Sequence, residues 1–98
     1  METGAFCVVR TQSAGAWAGN LESRNGKEVV LANAIHLFFW KGANALAGIA
    51  QDGVALPGQC KFTAPVDRVL LLEAIQILPT TEKAEASIKG VEVRPWWM

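Results

Sequence analysis

Apolar positions along this chain recur with a period of two in some stretches and of three to four in others. "AFCVVRT" (5–11) is short, β-branched and aromatic, and gives way to small and polar residues, so it predicts a strand. "AWAGNLES" (16–23) predicts a second strand. The Asn25-Gly26 pair after it is a strong hairpin signal, because both residues tolerate the positive φ that a type I′ turn demands. "KEVVLANA" (27–34) is then the returning antiparallel strand. "IHLFFWK" (35–41) follows almost without a break, with a kink or a tight turn between strands at Asn33-Ala34.

The period then lengthens. "NALAGIAQDG" (44–53) predicts a short helix, with Asn44 as N-cap, Leu46, Ile49 and Ala50 on one face, and Gly53 as a left-handed close. "VALPGQ" (54–59) is a loop, and "CKFTAPV" (60–66) alternates and ends at a proline, as an edge strand does. "RVLLLEAIQILP" (68–79) fits either period. Its "AIQIL" alternates, which favours a strand over 74–78, while 67–72 is a turn of helix or an extended lead-in. "TTEKAEASIKG" (80–90) predicts a second helix, capped by Thr80 or Thr81 and stopped by Gly90. "VEVRPWWM" (91–98) is a tail. The expected fold is α+β, an antiparallel β-sheet of five or six strands with two short helices, forming a single domain over 1–98.

Composition narrows the function classes. The chain has 98 residues and is 51% hydrophobic, enough for one packed core. Nine basic residues balance nine acidic ones, so no broad basic face for nucleic acid is expected. Cys7 and Cys60 lack metal-ligand spacing and read as two buried thiols in a reducing compartment. Met1–Gly4 has no basic leader region, and the longest apolar runs are too short to span a bilayer. A cytoplasmic protein with no membrane partner is expected.

Chemistry is sparse. His36 is the one histidine, too few for a metal site with two distant cysteines, so no metal and no cofactor are expected. Under strict alternation it shares a face with Phe38 and Trp40. No pair of carboxylates reads as a general acid and base, and "GAWAG" is not a phosphate-cradling loop. The chain is therefore expected not to be an enzyme. Recognition remains. Lys41 lies just before the expected helix start, and Trp40 offers a flat surface on which a base could stack, with core packing as its competing role. Trp96 and Trp97 are costly to leave in water, and either fold back on the sheet or dock on another subunit.

"RTQSAGAWAG" (10–19) is the oddest stretch. Ala14, Gly15, Ala16, Ala18 and Gly19 leave little bulk around Trp17, which marks a close approach. The approaching object is the chain's own helix, a second subunit or a ligand. Arg10 and Ser13 beside the gap could hold a phosphate or a carboxylate.

Taken together, "VVRTQSAGAWAGNLESRNGKEVVLANA" (8–34), "FWKGANALAGIAQDGV" (39–54) and "LLLEAIQILPTTEKAEASI" (70–88) resemble a family of small proteins from tailed bacteriophages and prophages. Its members carry a similar Arg-Thr-x-Ser-Ala-Gly stretch, a Gly-Lys-Glu-Val hairpin, a Trp-x-Gly-Ala turn and an Ile-Ala-x-x-Gly-Val helix end. The family is a domain of unknown function. The resemblance implies a phage genome as source and supplies no catalytic residues. This chain departs from the pattern at Gln12, where an aromatic is usual, and near Ile35 and His36, where basic residues are usual. The terminal "RPWWM" has no counterpart in it.

The leading expectation is a non-enzymatic, phage-derived homo-oligomer that binds a small anionic ligand such as a nucleotide signal of the host. Arg10, Ser13 and Lys41 would supply charge and hydrogen bonds, Trp17 and Trp40 stacking, and His36 would assist. The alternative is a protein–protein inhibitor of a host defence protein, or an accessory or structural factor, working through an edge strand or through Trp96 and Trp97.

Overall fold

The computed structural model describes residues 2–43 and 45–93. Its strands are β1 (Phe6–Thr11), β2 (Ala16–Asn25), β3 (Glu28–Phe39), β4 (Lys61–Phe62), β5 (Val66–Leu71) and β6 (Ala74–Pro79). Its helices are α1 (Leu46–Asp52) and α2 (Glu82–Lys89), and a 3-10 turn covers Pro57–Gln59. The six strands form one antiparallel sheet, in the order β4-β3-β2-β1-β6, with β5 also paired to β3. The expected α+β fold holds.

The stretch after the hairpin turn is one long strand rather than two. The turn itself centres on Gly26 and Lys27, between the paired residues Asn25 and Glu28. Gly26 takes φ 61 and Lys27 does not have positive φ, which is the pattern of a type II′ turn rather than the expected type I′. Further along, Asn33 has φ 52 and is the extra residue where β2 runs from Ala18 to Asn20 against Ile35 to Ala32. Asparagine visits this left-handed region more readily than most non-glycine residues. The bulge resets the alternation: Leu31 enters one core, Ile35 and Leu37 the other. Glu22 on β2 and Ile75 on β6 sit at two further register shifts. Such insertions bend a strand and sharpen its twist.

The bends curl the sheet. β5 lies on the far side of β3 and β6 on the far side of β1, yet only Leu72 and Glu73 separate them in the chain. The backbone N–H of Ala74 donates to the Lys27 carbonyl at 3.0 Å, and that of Gln12 donates to the Glu73 carbonyl at 3.0 Å. These bonds pin the β5–β6 corner to the hairpin tip and to the end of β1. Residues 67–71 are extended because Val69 and Leu71 pair with Leu31 and Val29, and Leu72 begins the corner. Burial of Leu71 there overrides the helical option that the sequence leaves open.

Two cores result. On one side, Val8, Ala18 and Leu37 share a cluster with Ile49 of α1, Ile88 of α2 and Phe62 of β4. Inside the curl, Cys7, Val9, Leu21, Val29, Leu31 and Ala34 pack with Leu71. The two cysteines are free, buried and in different cores. The Thr81 hydroxyl accepts the Ala84 N–H at 3.0 Å as the cap of α2, and donates to the Gln51 carbonyl at 2.7 Å, tying α2 to α1. α1 starts at Leu46 with Ala45 as its N-cap and no side-chain cap bond. The expected cap, Asn44, lies outside the described residues, as do Trp96 and Trp97. Gly53 closes α1 with φ 79, and its N–H reaches the Ile49 carbonyl.

Candidate functional site

The corner between β1 and β2 is held by Thr11, the one buried polar side chain among the described residues. Its hydroxyl donates to the Gly15 carbonyl at 2.7 Å and accepts the Ala14 N–H at 2.8 Å. Gly15 takes φ 82, a conformation that L side chains resist. The Trp17 indole N–H donates to the Ala14 carbonyl at 2.9 Å, which fixes the ring beside the corner.

His36 pairs with Trp17 across β2 and β3. Their rings stack at 4.5 Å between centroids and 13° between planes. Phe38 meets the imidazole edge-on at 6.1 Å and 64°. Gly15 makes room for this ring: a Cβ there would lie 2.9 Å from His36 Nε2. The His36 backbone is clamped by Thr63, whose hydroxyl accepts the His36 N–H at 3.0 Å and whose own N–H donates to the His36 carbonyl at 3.2 Å. Burial lowers the imidazole pKa from its ordinary 6.5, so the ring is neutral at pH 7.

A cavity of about 410 Å³ opens beside this corner. Arg10, Thr11, Gly15 and Ala16 line it from the corner, His36, Leu37 and Phe38 from the end of β3, Trp40 from just beyond it, and Ala45 and Leu46 from the start of α1. Its size falls within the range of about 300–1,000 Å³ typical of small-molecule sites. Arg10 is exposed, is the one cation in the lining, and makes no ion pair among the described residues. The cavity thus joins one open guanidinium to aromatic and aliphatic walls.

The fold brings together Arg10, His36 and Trp40 from the sequence-based set. Trp40 does so at the helix-side core, against which it packs, and not by simple continuation of the strand. Trp17 does not line the cavity; it stands behind His36. Ser13 turns away, donating to Glu73 Oε1 at 2.7 Å. Lys41 is exposed and outside the lining, and α1 begins five residues after it, so the expected pairing of Lys41 with a helix start is not formed. Thr11, Gly15 and Phe38 join the site without having been singled out as binding groups. For Thr11 the available signal was a hydroxyl just ahead of a Ser-Ala-Gly turn. For Phe38 the signal was strand alternation, which puts it on the face of His36 and Trp40.

The close approach along 10–19 is mostly internal. Ala16 and Ala18 share a core with Leu46, Ile49 and Ala50 of α1, and a Cβ on Gly19 would lie 2.9 Å from the Ala32 carbonyl oxygen on β3. Of this stretch, Arg10, Thr11, Gly15 and Ala16 face the cavity.

The model of a family described as a domain of unknown function, DUF6948, matches residues 4–88. The chain belongs to this family. The DUF6948 match takes in every strand and every residue that lines the cavity, and ends one residue short of the end of α2. Neither a curated protein nor a solved structure matches the chain. Among the described residues no helix is long and apolar enough to cross a membrane, and no three of His, Cys, Asp or Glu cluster to hold a metal ion.

Proposed function

We propose that this DUF6948 protein is a non-enzymatic binding protein that sequesters a small anionic ligand of the nucleotide class in the cavity between the β1–β2 corner and α1. The observation that carries the reading is the Arg10 guanidinium, without an ion pair among the described residues, on a cavity whose other walls are mostly rings and aliphatic surface. A guanidinium presents a planar fork to phosphate or carboxylate. Trp40 offers flat surface to a base, and His36 lies beside it on the wall. The resemblance to phage and prophage proteins supports a host nucleotide signal as the ligand and the host cytoplasm as the place. The cavity is open to solvent on one side, and a second copy of the chain would complete it in a homo-oligomer.

Thermal-shift and calorimetric titration against cyclic dinucleotides, ADP-ribose and nucleoside monophosphates tests the reading. At a hundred times Kd a ligand of the native state adds about 2.7 kcal/mol of stability, which a melting scan resolves. The expected result is a rise in Tm with at least one of these anions that Arg10→Ala abolishes. No rise with any of them at millimolar concentration contradicts it.

A second reading rests on the β5–β6 corner, where Leu70, Leu72 and Ile75 are 54%, 61% and 55% exposed. Three aliphatics in water at one corner favour a protein partner, as for an inhibitor of a host defence protein or a phage accessory or structural factor. Pull-down with Leu72→Glu and Ile75→Glu, and with residues 95–98 removed to test Trp96 and Trp97, separates this reading from the first.

A further inference from the structure

The imidazole of His36 is oddly placed for a structural residue. Among the described residues its ring nitrogens make no hydrogen bond; the bonds at this position are all to the backbone. Yet the ring is immobilised. Trp17 covers one face, Phe38 meets an edge, and Gly15 lets Nε2 approach the corner backbone. Trp17 is itself tied to Ala14 by its indole N–H. His36 lines the cavity and Trp17 does not, so Trp17 shields the ring from behind while the cavity opens on another side.

We infer that His36 is the specificity-determining residue of the cavity, reading the hydrogen-bonding edge of a heteroaromatic ring whose attached anion rests on Arg10. The inference rests on the ligand reading above and deepens it. A neutral imidazole carries one donor and one acceptor on opposite sides of its ring, so a single nitrogen can meet one donor or acceptor on the edge of a nucleobase. A held ring with unspent hydrogen-bonding groups meets a ligand without paying to be ordered first. Arg10 answers to the charge of the ligand and His36 to its ring, so the two contributions separate by variant and by probe.

The test is calorimetric titration of the full chain with adenosine 5′-monophosphate and with ribose 5-phosphate, which has the anion but no base. Wild type, Arg10→Ala and His36→Phe are compared. Phenylalanine keeps a ring against Trp17 and removes both nitrogens, and its melting temperature reports that the fold is intact. The expected result is that the wild type prefers the nucleotide by about tenfold, and that His36→Phe loses this preference while holding ribose 5-phosphate as before. Arg10→Ala weakens both probes. A His36→Phe variant that retains the preference overturns the inference, as does a wild type that binds the two probes equally; both leave the Arg10 site standing. Binding of neither probe, by a wild type that binds no other nucleotide, overturns the ligand reading and the inference with it.

Discussion

The two faces of the sheet are closed by different means. The helix-side core is roofed by α1, α2 and β4, while the core inside the curl is closed by the sheet itself, through Leu71 and the β5–β6 corner. A curled sheet seals its own concave face, because its edges come together. A helix is a separate body and ends where its sequence ends. α1 covers Ala16 and Ala18 but starts only at Leu46, and the cavity lies where the roof begins. The cavity follows from an incomplete lid over one face rather than from a cleft between domains.

The largest effects should come from emptying either core. Phe62→Ala on the helix side is expected to cost about 3–5 kcal/mol, and Leu31→Ala inside the curl about 2–5 kcal/mol, in denaturant unfolding. Both side chains are fully buried. Because the cores lie on opposite faces, the double variant should add to within about 0.5 kcal/mol. A large coupling would show the two faces to be one packing unit. Asn33 is the hinge between them. A β-branched Asn33→Val in a left-handed conformation should cost about 1–2 kcal/mol, and Asn33→Gly far less. Thr81→Ala, which removes the cap that also ties α2 to α1, should cost about 1 kcal/mol. Arg68→Ala breaks the exposed pair with Glu22 on the sheet surface and should cost less than about 1 kcal/mol, fading further with salt.

Two titrations distinguish the faces as well. Burial lowers the His36 pKa in the folded chain, so the unfolded chain takes up this proton first. Its contribution to stability is complete above pH 6.5 and is lost as the pH falls from there through the lowered value. Cys7, inside the curl, behaves in the opposite sense. Burial pushes its thiol up from 9.0 to about 11, so the unfolded thiol ionises first and stability declines as the pH rises through that window. Denaturation curves at pH 5, 7 and 10 check both signs, with His36→Phe flattening the acid limb and Cys7→Ala the alkaline one.

Local signals carried much of the architecture. The hairpin after Asn25, the break at Asn33 and the cap of α2 are each written in one or two residues with a strong backbone preference. The extended state of 67–71 was ambiguous because its choice is made by Leu31 and Val29, some forty residues away in the chain. The same reason hid the site. Ser13 reads as a free hydroxyl until Glu73 folds against it, and Lys41 reads as a helix-start cation until α1 begins late. Arg10 and His36 were legible as chemistry, since a cation beside a run of small residues and a lone histidine stand out. Their meeting was not, because it depends on the register that sets Arg10 opposite Ala16 and Trp17 opposite His36.

The most direct measurement is a backbone amide NMR titration with adenosine 5′-monophosphate. The account predicts shifts confined to the incompletely roofed end, at Arg10, Thr11, Gly15, His36, Phe38 and Leu46, with the hairpin tip at Gly26 and Lys27 and the β5–β6 corner at Leu72 unmoved. Shifts centred on that tip and corner, with the Arg10–His36 end silent, would contradict it.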